Sequence, residues 1–292
     1  MLEFRGKVAV ITGAASGMGR AFADRFAREG MKIVLADVEE GALAKAVSEL
    51  KAQGHDATGI RTDVSNPDSV QRLADEALAA YGKVHLLCAN AGVSAIGGSP
   101  WTPLWRATLK DWQWVTGVNY WGVAHSIRVI VPLMLAHEEE GHVVITSSNA
   151  GLMPGNGVYG ATKHAAVSMA ESLYTDLHMA EAKIGVTCLC PLAVSTRLNT
   201  SDRNRPSELI DGTELKLSDE MQALRQASSG RATPAAEVAE MVYQAVRDNQ
   251  FYLLTGTGTD GIIRERMENI LNRRNPSGAM RIPAWMQEVP RR

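Results

Sequence analysis

The sequence predicts an α/β fold in which a parallel sheet is covered on both faces by helices. Three observations predict it. Short β-branched runs alternate with longer helical patterns, the mark of successive βαβ units. A Gly-rich turn, Thr12-Gly-Ala-Ala-Ser-Gly-Met-Gly19, falls between the first strand-like run and the first helix-like one. The bulk composition, 292 residues with 45% hydrophobic and 21% charged, suits one large domain over residues 1–292.

Taken in order, the clearest strands are 8–11, 33–36, 84–88, 143–146 and 186–190. Ala21, Phe22 and Phe26 give the first helix its apolar face. Ser65-Asn-Pro67 offers cap candidates with Pro near the first turn, and apolar positions at helical spacing follow over 70–80. Thr108-Leu-Lys-Asp111 opens another helix with a capping box, predicted to run through Asn119 toward Met134. Residues 199–233 are polar and weakly periodic, too long for an ordinary connection, and read as a substrate lid or a disordered excursion. A C-terminal extension follows over 256–292, with a helix near 262–271.

Net charge is -2 and no basic run exceeds Arg291-Arg292, so neither nucleic acid nor an anionic membrane is an expected partner. The first seven residues lack an apolar core, and no apolar stretch approaches the roughly 20 residues that span a bilayer. A cytoplasmic protein acting on small molecules is expected. Cys88, Cys188 and Cys190 lie in apolar runs and read as reduced core residues, with no spacing suited to zinc. No metal is expected: His137 and His142 flank Glu138-Glu-Glu140, which reads as a surface loop after a helix.

Gly13, Gly17 and Gly19 stand between a strand and a helix, where glycine permits a tight turn and close approach to a pyrophosphate met by helix N–H groups. Their spacing is G-xxx-G-x-G. Asp37 ends the second strand. A carboxylate there accepts ribose hydroxyls and repels a 2'-phosphate, which favours NAD over NADP; the alternative is a strand-end cap. Ala15 agrees, since no cation stands inside the turn, although Arg20 and Lys32 are near in sequence. Tyr159 and Lys163, at i and i+4, share a helix face. A fixed ammonium near a phenol favours phenolate, so Tyr159 can exchange a proton with an alcohol or carbonyl while a nicotinamide carries the hydride.

The glycine turn, Asp63-Val64, Asn90-Ala-Gly92, Asn119, Ser147-Ser148 and Tyr159-xxx-Lys163 together resemble the short-chain dehydrogenase/reductase family, over roughly residues 7–196. The resemblance implies a Rossmann-type doubly wound sheet of about seven strands and a homodimer or homotetramer. It adds Ser16 and Met18 of the turn to the cofactor contacts. It gives Asp63 and Val64 to the adenine, and Asn90, Ala91 and Gly92 to the cofactor floor. Tyr159 becomes the general acid/base and Lys163 its modulator and ribose ligand. Ser148 would orient the substrate oxygen, with Ser147 competing for that role. Asn119 would hold a proton-relay water through its backbone, unless it is a helix packing residue. Ser148 is chosen because Ser-Asn-Ala-Gly151 resembles the family's Ser-x-x-Gly, and a shortened 152–158 loop would absorb the smaller distance to Tyr159.

After the sixth strand, Leu192 replaces the family's usual glycine, while Val194 and Thr196 keep places suited to the nicotinamide carboxamide. A leucine resists positive φ, so the backbone there is expected to differ. Five tryptophans, Trp101, Trp105, Trp112, Trp114 and Trp121, crowd one stretch. Those at 112–121 fall on the helix that resembles the family's subunit interface. Trp101 and Trp105 could reach the site with Met153, Leu192 and the 199–233 segment, forming an apolar pocket. The substrate expected is thus a hydrophobic, aromatic or alicyclic secondary alcohol. Its reversal, ketone reduction with NAD(P)H, and a silent dinucleotide sensor remain alternatives.

Overall fold

The computed structural model describes residues 1–95, 103–210, 212 and 232–276. The chain runs through β1 (Val8–Thr12), α1 (Gly17–Arg28), β2 (Lys32–Asp37), α2 (Glu40–Ala52), β3 (Ala57–Arg61), α3 (Pro67–Tyr81) and β4 (Leu86–Ala89). It continues through α4 (Leu109–Thr116), α5 (Gly122–Ala136), β5 (Gly141–Thr146), α6 (Gly157–Met179) and β6 (Ile184–Cys190). Then follow the two-residue strands β7 (Val194–Ser195) and β8 (Thr233–Pro234), helix α7 (Ala235–Arg247), β9 (Tyr252–Leu254) and α8 (Asp260–Leu271).

Seven strands form one sheet in the order β3-β2-β1-β4-β5-β6-β9, every pairing parallel. This is the doubly wound Rossmann-type architecture. The continuous apolar runs have a simple cause: successive residues alternate between two buried layers. Val8, Val10, Val34 and Ala36 face one core with Leu73 of α3, Ile130 of α5 and Ala166 of α6. Ala9, Ile11, Ile33 and Leu35 face the other with Phe22 and Phe26 of α1 and Val238 and Val242 of α7. The order of the strands reverses at β1, with β2 and β3 on one side and β4 onward on the other, which opens a crevice at the carboxyl ends of β1 and β4.

Local signals set the helix starts. Asn66 caps α3, its side-chain oxygen accepting from Asp68 N (2.9 Å) and Ser69 N (3.1 Å), with Pro67 the first helical residue. Thr108 and Asp111 close a reciprocal capping box on α4. The helix predicted to run on from there is instead interrupted by a π turn, Gly117–Trp121, which sets Asn119 into the interior.

Two strands of this sheet escaped the sequence pattern. β3 is an edge strand carrying Gly59, whose added Cβ would lie 2.8 Å from the Val47 side chain, and β9 is only three residues long. His142 is not in a surface loop. It is the second residue of β5 and is fully buried, its Nε2 bonded to Thr187 Oγ1 at 2.8 Å. All three cysteines are free and buried. The 199–233 segment contributes 3₁₀ turns at Leu198–Asn204 and Ser207–Leu209; residues 211 and 213–231 of that expected lid lie outside the described residues, as does Trp101. Among the described residues no helix is long and apolar enough to cross a membrane.

Candidate active site

A cleft of about 560 Å³ opens at the carboxyl edge of the sheet. Of the residues singled out from sequence, Gly13, Ser16, Gly17, Met18, Asp37, Asp63, Val64, Asn90, Ala91, Gly92, Ser148, Tyr159, Lys163, Val194 and Thr196 all line it. Gly19 and Asn119 stand behind its wall.

The turn after β1 is shaped by backbone proximity. Gly13 has φ +66°, and a Cβ there would lie 2.9 Å from Ala91 Cα; at Gly19 it would lie 2.2 Å from Gly13 O. Only glycine fits where α1 packs on its own entry turn. Ser16 precedes α1 without a side-chain cap bond, and no acidic residue occupies the first turn, so the helix N-terminus presents its N–H groups and positive end to the cleft. Asp37 is fixed by two backbone donors: Oδ2 accepts from Ala15 N at 2.9 Å and Oδ1 from Glu39 N at 3.0 Å. Asp63 Oδ1 accepts from Ser65 N (2.9 Å) and Ser65 Oγ (2.7 Å). These features fit a dinucleotide: a cradle that side chains would fill, a helix N-terminus for its phosphates and a carboxylate at the second strand's end.

Thr12, Asn90 and Thr146 tie the strand ends together. Thr12 Oγ1 accepts from Asn90 N (2.9 Å) and Ala91 N (3.0 Å), Asn90 Nδ2 donates to Thr12 O (3.0 Å), and Thr146 Oγ1 donates to Asn90 Oδ1 (3.2 Å). Thr146 was not among the site residues expected from sequence, yet its carbonyl accepts from Lys163 Nζ at 2.9 Å. Lys163 is 3% exposed. Burial lowers its pKa to about 8, because a charged ammonium loses more on desolvation than an amine.

Tyr159 lies one turn earlier on α6, with Lys163 Nζ 5.6 Å from its ring centroid. Burial raises the phenol's pKa, opposed by a hydrogen bond from Ser148, so the lowering expected from the ammonium meets a larger effect of opposite sign. Ser147 and Ser148 are separated by their bonding. Ser147 Oγ donates to Lys163 O (2.7 Å), whereas Ser148 Oγ accepts from Ala150 N (3.1 Å) at the start of a 3₁₀ turn. A Cβ at Gly151 would come within 2.6 Å of both Lys163 O and Ser147 Oγ, which explains why a glycine follows three residues after Ser148. Three successive positive-φ residues, Gly155, Asn156 and Gly157, carry the shortened loop into α6.

Asn119 is fully engaged through its side chain: Oδ1 accepts from Val93 N (2.8 Å), and Nδ2 donates to Val93 O (3.0 Å) and Thr162 Oγ1 (3.1 Å). Thr162 Oγ1 in turn donates to Tyr159 O (2.8 Å). Leu192 keeps a negative φ, its N–H donates to Thr255 Oγ1 (3.0 Å), and its side chain lies over Gly256. Its bulk is accommodated against Thr255 and Gly256 rather than by a strained turn.

The substrate side departs from the sequence expectation. Trp114, not Trp105, lines the cleft; Trp105 is 86% exposed. Met153 is not in the lining, while Gln113, Asn156, Asn204 and Leu209 are. A second correction lies at the opposite sheet edge. No ligand cluster was expected, yet His85, His137 and Glu139 offer three ligand atoms within 4.8 Å of one another. Their bonding is saturated: His85 accepts from Val8 N and meets Glu139 Oε2, His137 meets Val84 O and accepts from Glu139 N, and Glu139 is paired with Lys7 and Lys83. Two ammonium groups on the one carboxylate oppose a cation there.

A family profile described as short chain dehydrogenase matches residues 7–207. The chain belongs to the short-chain dehydrogenase/reductase family. A member of this family from Burkholderia phymatum, solved in complex with NAD, superposes with a TM-score of 0.89 at 46% identity, covering 96% of this chain and 99% of that one. A 1-deoxy-11-beta-hydroxypentalenate dehydrogenase of Streptomyces arenae is 33% identical over 90% of this chain and 87% of its own length. The CLA biosynthesis dehydrogenase/reductase of Lactiplantibacillus plantarum is 30% identical over 93% and 95%. As a short-chain dehydrogenase/reductase the chain is an oxidoreductase, and relatives of this family bind nicotinamide dinucleotides.

Proposed function

We propose that this oxidoreductase uses NAD to oxidise a hydrophobic secondary alcohol, aromatic or alicyclic, to its ketone. The observation that carries the reading is the convergence of Ser148, Tyr159 and Lys163 on one wall of a cleft whose other end is the glycine turn and Asp37. The dinucleotide, when bound, supplies the hydride acceptor. Ser148 orients the substrate oxygen and Tyr159 takes its proton, then returns it to solvent. Lys163 favours the phenolate once its ammonium faces it, and holds the ribose. Asn119 and Thr162 brace the turn that carries Tyr159, and the Asn119 backbone is the relay's water-holding group.

NAD is favoured because the Asp37 carboxylate, immobilised by two backbone donors, would stand against a 2'-phosphate. The NAD complex of the Burkholderia phymatum relative agrees. A bulky apolar substrate is supported by Trp114, Leu192 and Leu209 in the cleft lining, and a hydroxy-substrate dehydrogenase among the relatives points the same way. A cytoplasmic homo-oligomer is part of this reading, with the exposed Trp121 and Leu135 of the π turn and α5 as its contact face.

The test is NADH formation by the purified protein over a panel of aliphatic, alicyclic, steroid and aryl secondary alcohols, with NADP in parallel. Turnover of a bulky member with NAD in clear preference is the expected result. Equal rates with NADP would remove the cofactor assignment, and NADH binding without turnover of any alcohol or ketone would make the protein a dinucleotide sensor.

A further inference from the structure

A second carboxylate stands two residues beyond Asp37. Glu39 lines the same cleft, and its N–H is one of the two donors to Asp37, so both acidic side chains spring from one short turn. Glu39 Oε1 accepts from Arg203 Nη2 (2.5 Å), Arg203 Nε (3.1 Å) and Asn204 Nδ2 (2.9 Å), and Arg197 Nη1 is 3.6 Å from Oε2. The remaining Arg203 nitrogen, Nη1, donates to the carbonyls of Arg197 (3.1 Å) and Thr200 (2.8 Å). Arg197, Arg203 and Asn204 line the cleft as well. The Glu39 and Arg203 side chains are 21% and 26% exposed, so solvent screens the pair only in part.

Two guanidinium groups therefore reach the cleft mouth beside the carboxylate that reads the ribose. An arginine fork is the side chain best matched to phosphate oxygens. Left free, Arg203 and Arg197 would attract a 2'-phosphate and offset the repulsion from Asp37. Glu39 takes up the Arg203 fork and neutralises its charge. The hydrogen bond from Arg203 is also the largest cause holding the Glu39 carboxyl below its usual range, so it stays ionised throughout the neutral range.

We infer that Glu39 is a second determinant of cofactor choice, acting by occupying the arginines that would otherwise receive a 2'-phosphate. This inference rests on the NAD reading of Asp37. It also assigns the 198–204 turns a part in reading the dinucleotide.

The test is titration of NADH and NADPH binding to the full-length wild-type protein, Glu39→Gln, Glu39→Gln with Arg203→Ala, and Asp37→Ala. Glutamine keeps the shape and removes the charge. NADPH affinity should rise about tenfold in Glu39→Gln, or about 1.4 kcal/mol. NADH affinity should change far less, and the gain should vanish when Arg203→Ala is added. A merely structural role for the Glu39–Arg203 pair would weaken both dinucleotides alike and leave their ratio fixed. If Asp37→Ala shifts the ratio and Glu39→Gln does not, the inference fails and the NAD reading stands. If the wild type binds NADPH as tightly as NADH, the reading fails and the inference with it.

Discussion

The two edges of the sheet carry similar inventories of titratable groups and leave them in different states. At the amino edge, before β1, β4 and β5, the rings of His85 and His137 have partners at all four nitrogens, and Glu139 is shared by Lys7, Lys83 and His85. At the carboxyl edge Lys163, with three donors to give, makes one hydrogen bond among the described residues, to Thr146 O. Tyr159 is held near it with its pKa raised by burial. A saturated cluster has nothing left to offer a substrate. A buried amine with donors to spare, beside a phenol whose pKa is perturbed, lies in a cleft where a ligand can reach it, which is how perturbed residues at functional sites differ from perturbed residues in structural networks.

The largest effect separates the two edges directly. Tyr159→Phe should lower turnover by about 10²–10⁴-fold, the usual contribution of a positioned acid/base group, with Tm and NADH binding retained. Glu139→Gln should do the reverse, keeping kcat/KM within about twofold and lowering Tm. Parallel rate and melting measurements on both variants decide it. A Tyr159→Phe enzyme that still turns over, or a Glu139→Gln enzyme that does not, would erase the contrast.

A pH profile sharpens it. Tyr159 and Lys163 interact closely enough to titrate as a pair. Burial lowers Lys163 to about 8, so the pair loses its first proton there, and neutral amine with phenol has the same net charge as ammonium with phenolate. Alcohol oxidation needs the deprotonated pair. NADH formation should therefore rise in proportion to hydroxide below about 8 and level off above it, and ketone reduction should fall over the same range. In Lys163→Met the inflection should move upward, because the Tyr159 phenol is left with burial alone. An oxidation rate flat through this interval would mean that the pair does not gate the proton.

How much of this was legible in the sequence follows the same division. The cofactor side was readable because backbone geometry dictates residue type there: Gly13 and Gly19 are required by atoms less than 3 Å from where a Cβ would sit, and Asp37 is placed by the end of an apolar run. The parallel sheet covered on both faces could be expected for a similar reason, since alternating cores demand continuous β-branched segments; the count of about seven strands came only from the family resemblance, because β3 and β9 were too short or too interrupted to announce themselves. The substrate side was not readable. Trp105 and Trp114 look alike in a Trp-rich stretch, and only the capping box at Thr108 and the packing of α4 decide that Trp114 turns inward against Val93 and Val158. Glu39 and Arg203 meet across 164 residues, a pairing with no local trace. His142 was misplaced because the acidic run before it masks a strand that starts one residue earlier, at Gly141.

His142 supplies the smallest effect and a different kind of test. Its Nε2 pairs with Thr187 Oγ1, whose own proton goes to Gln250 O at 2.7 Å, so Nε2 carries the hydrogen and Nδ1 is a buried acceptor without a partner among the described residues. Burial, aided by the nearby N-terminal charge, lowers its pKa from 6.5 to about 3. Over that interval the unfolded chain binds a proton that the folded protein refuses, so stability rises with pH and is lost on acidification below 6.5. Glu139, also lowered, adds a loss of the same sign below its ordinary range. Melting curves from neutral to mildly acidic pH should show Tm declining from about pH 6.5 downward, and His142→Gln, which keeps a donor for Thr187 but cannot titrate, should flatten the first part of that decline. Parallel curves for the two proteins would place the acid sensitivity elsewhere, with His85, lowered by its own burial, the next group to replace at the amino edge.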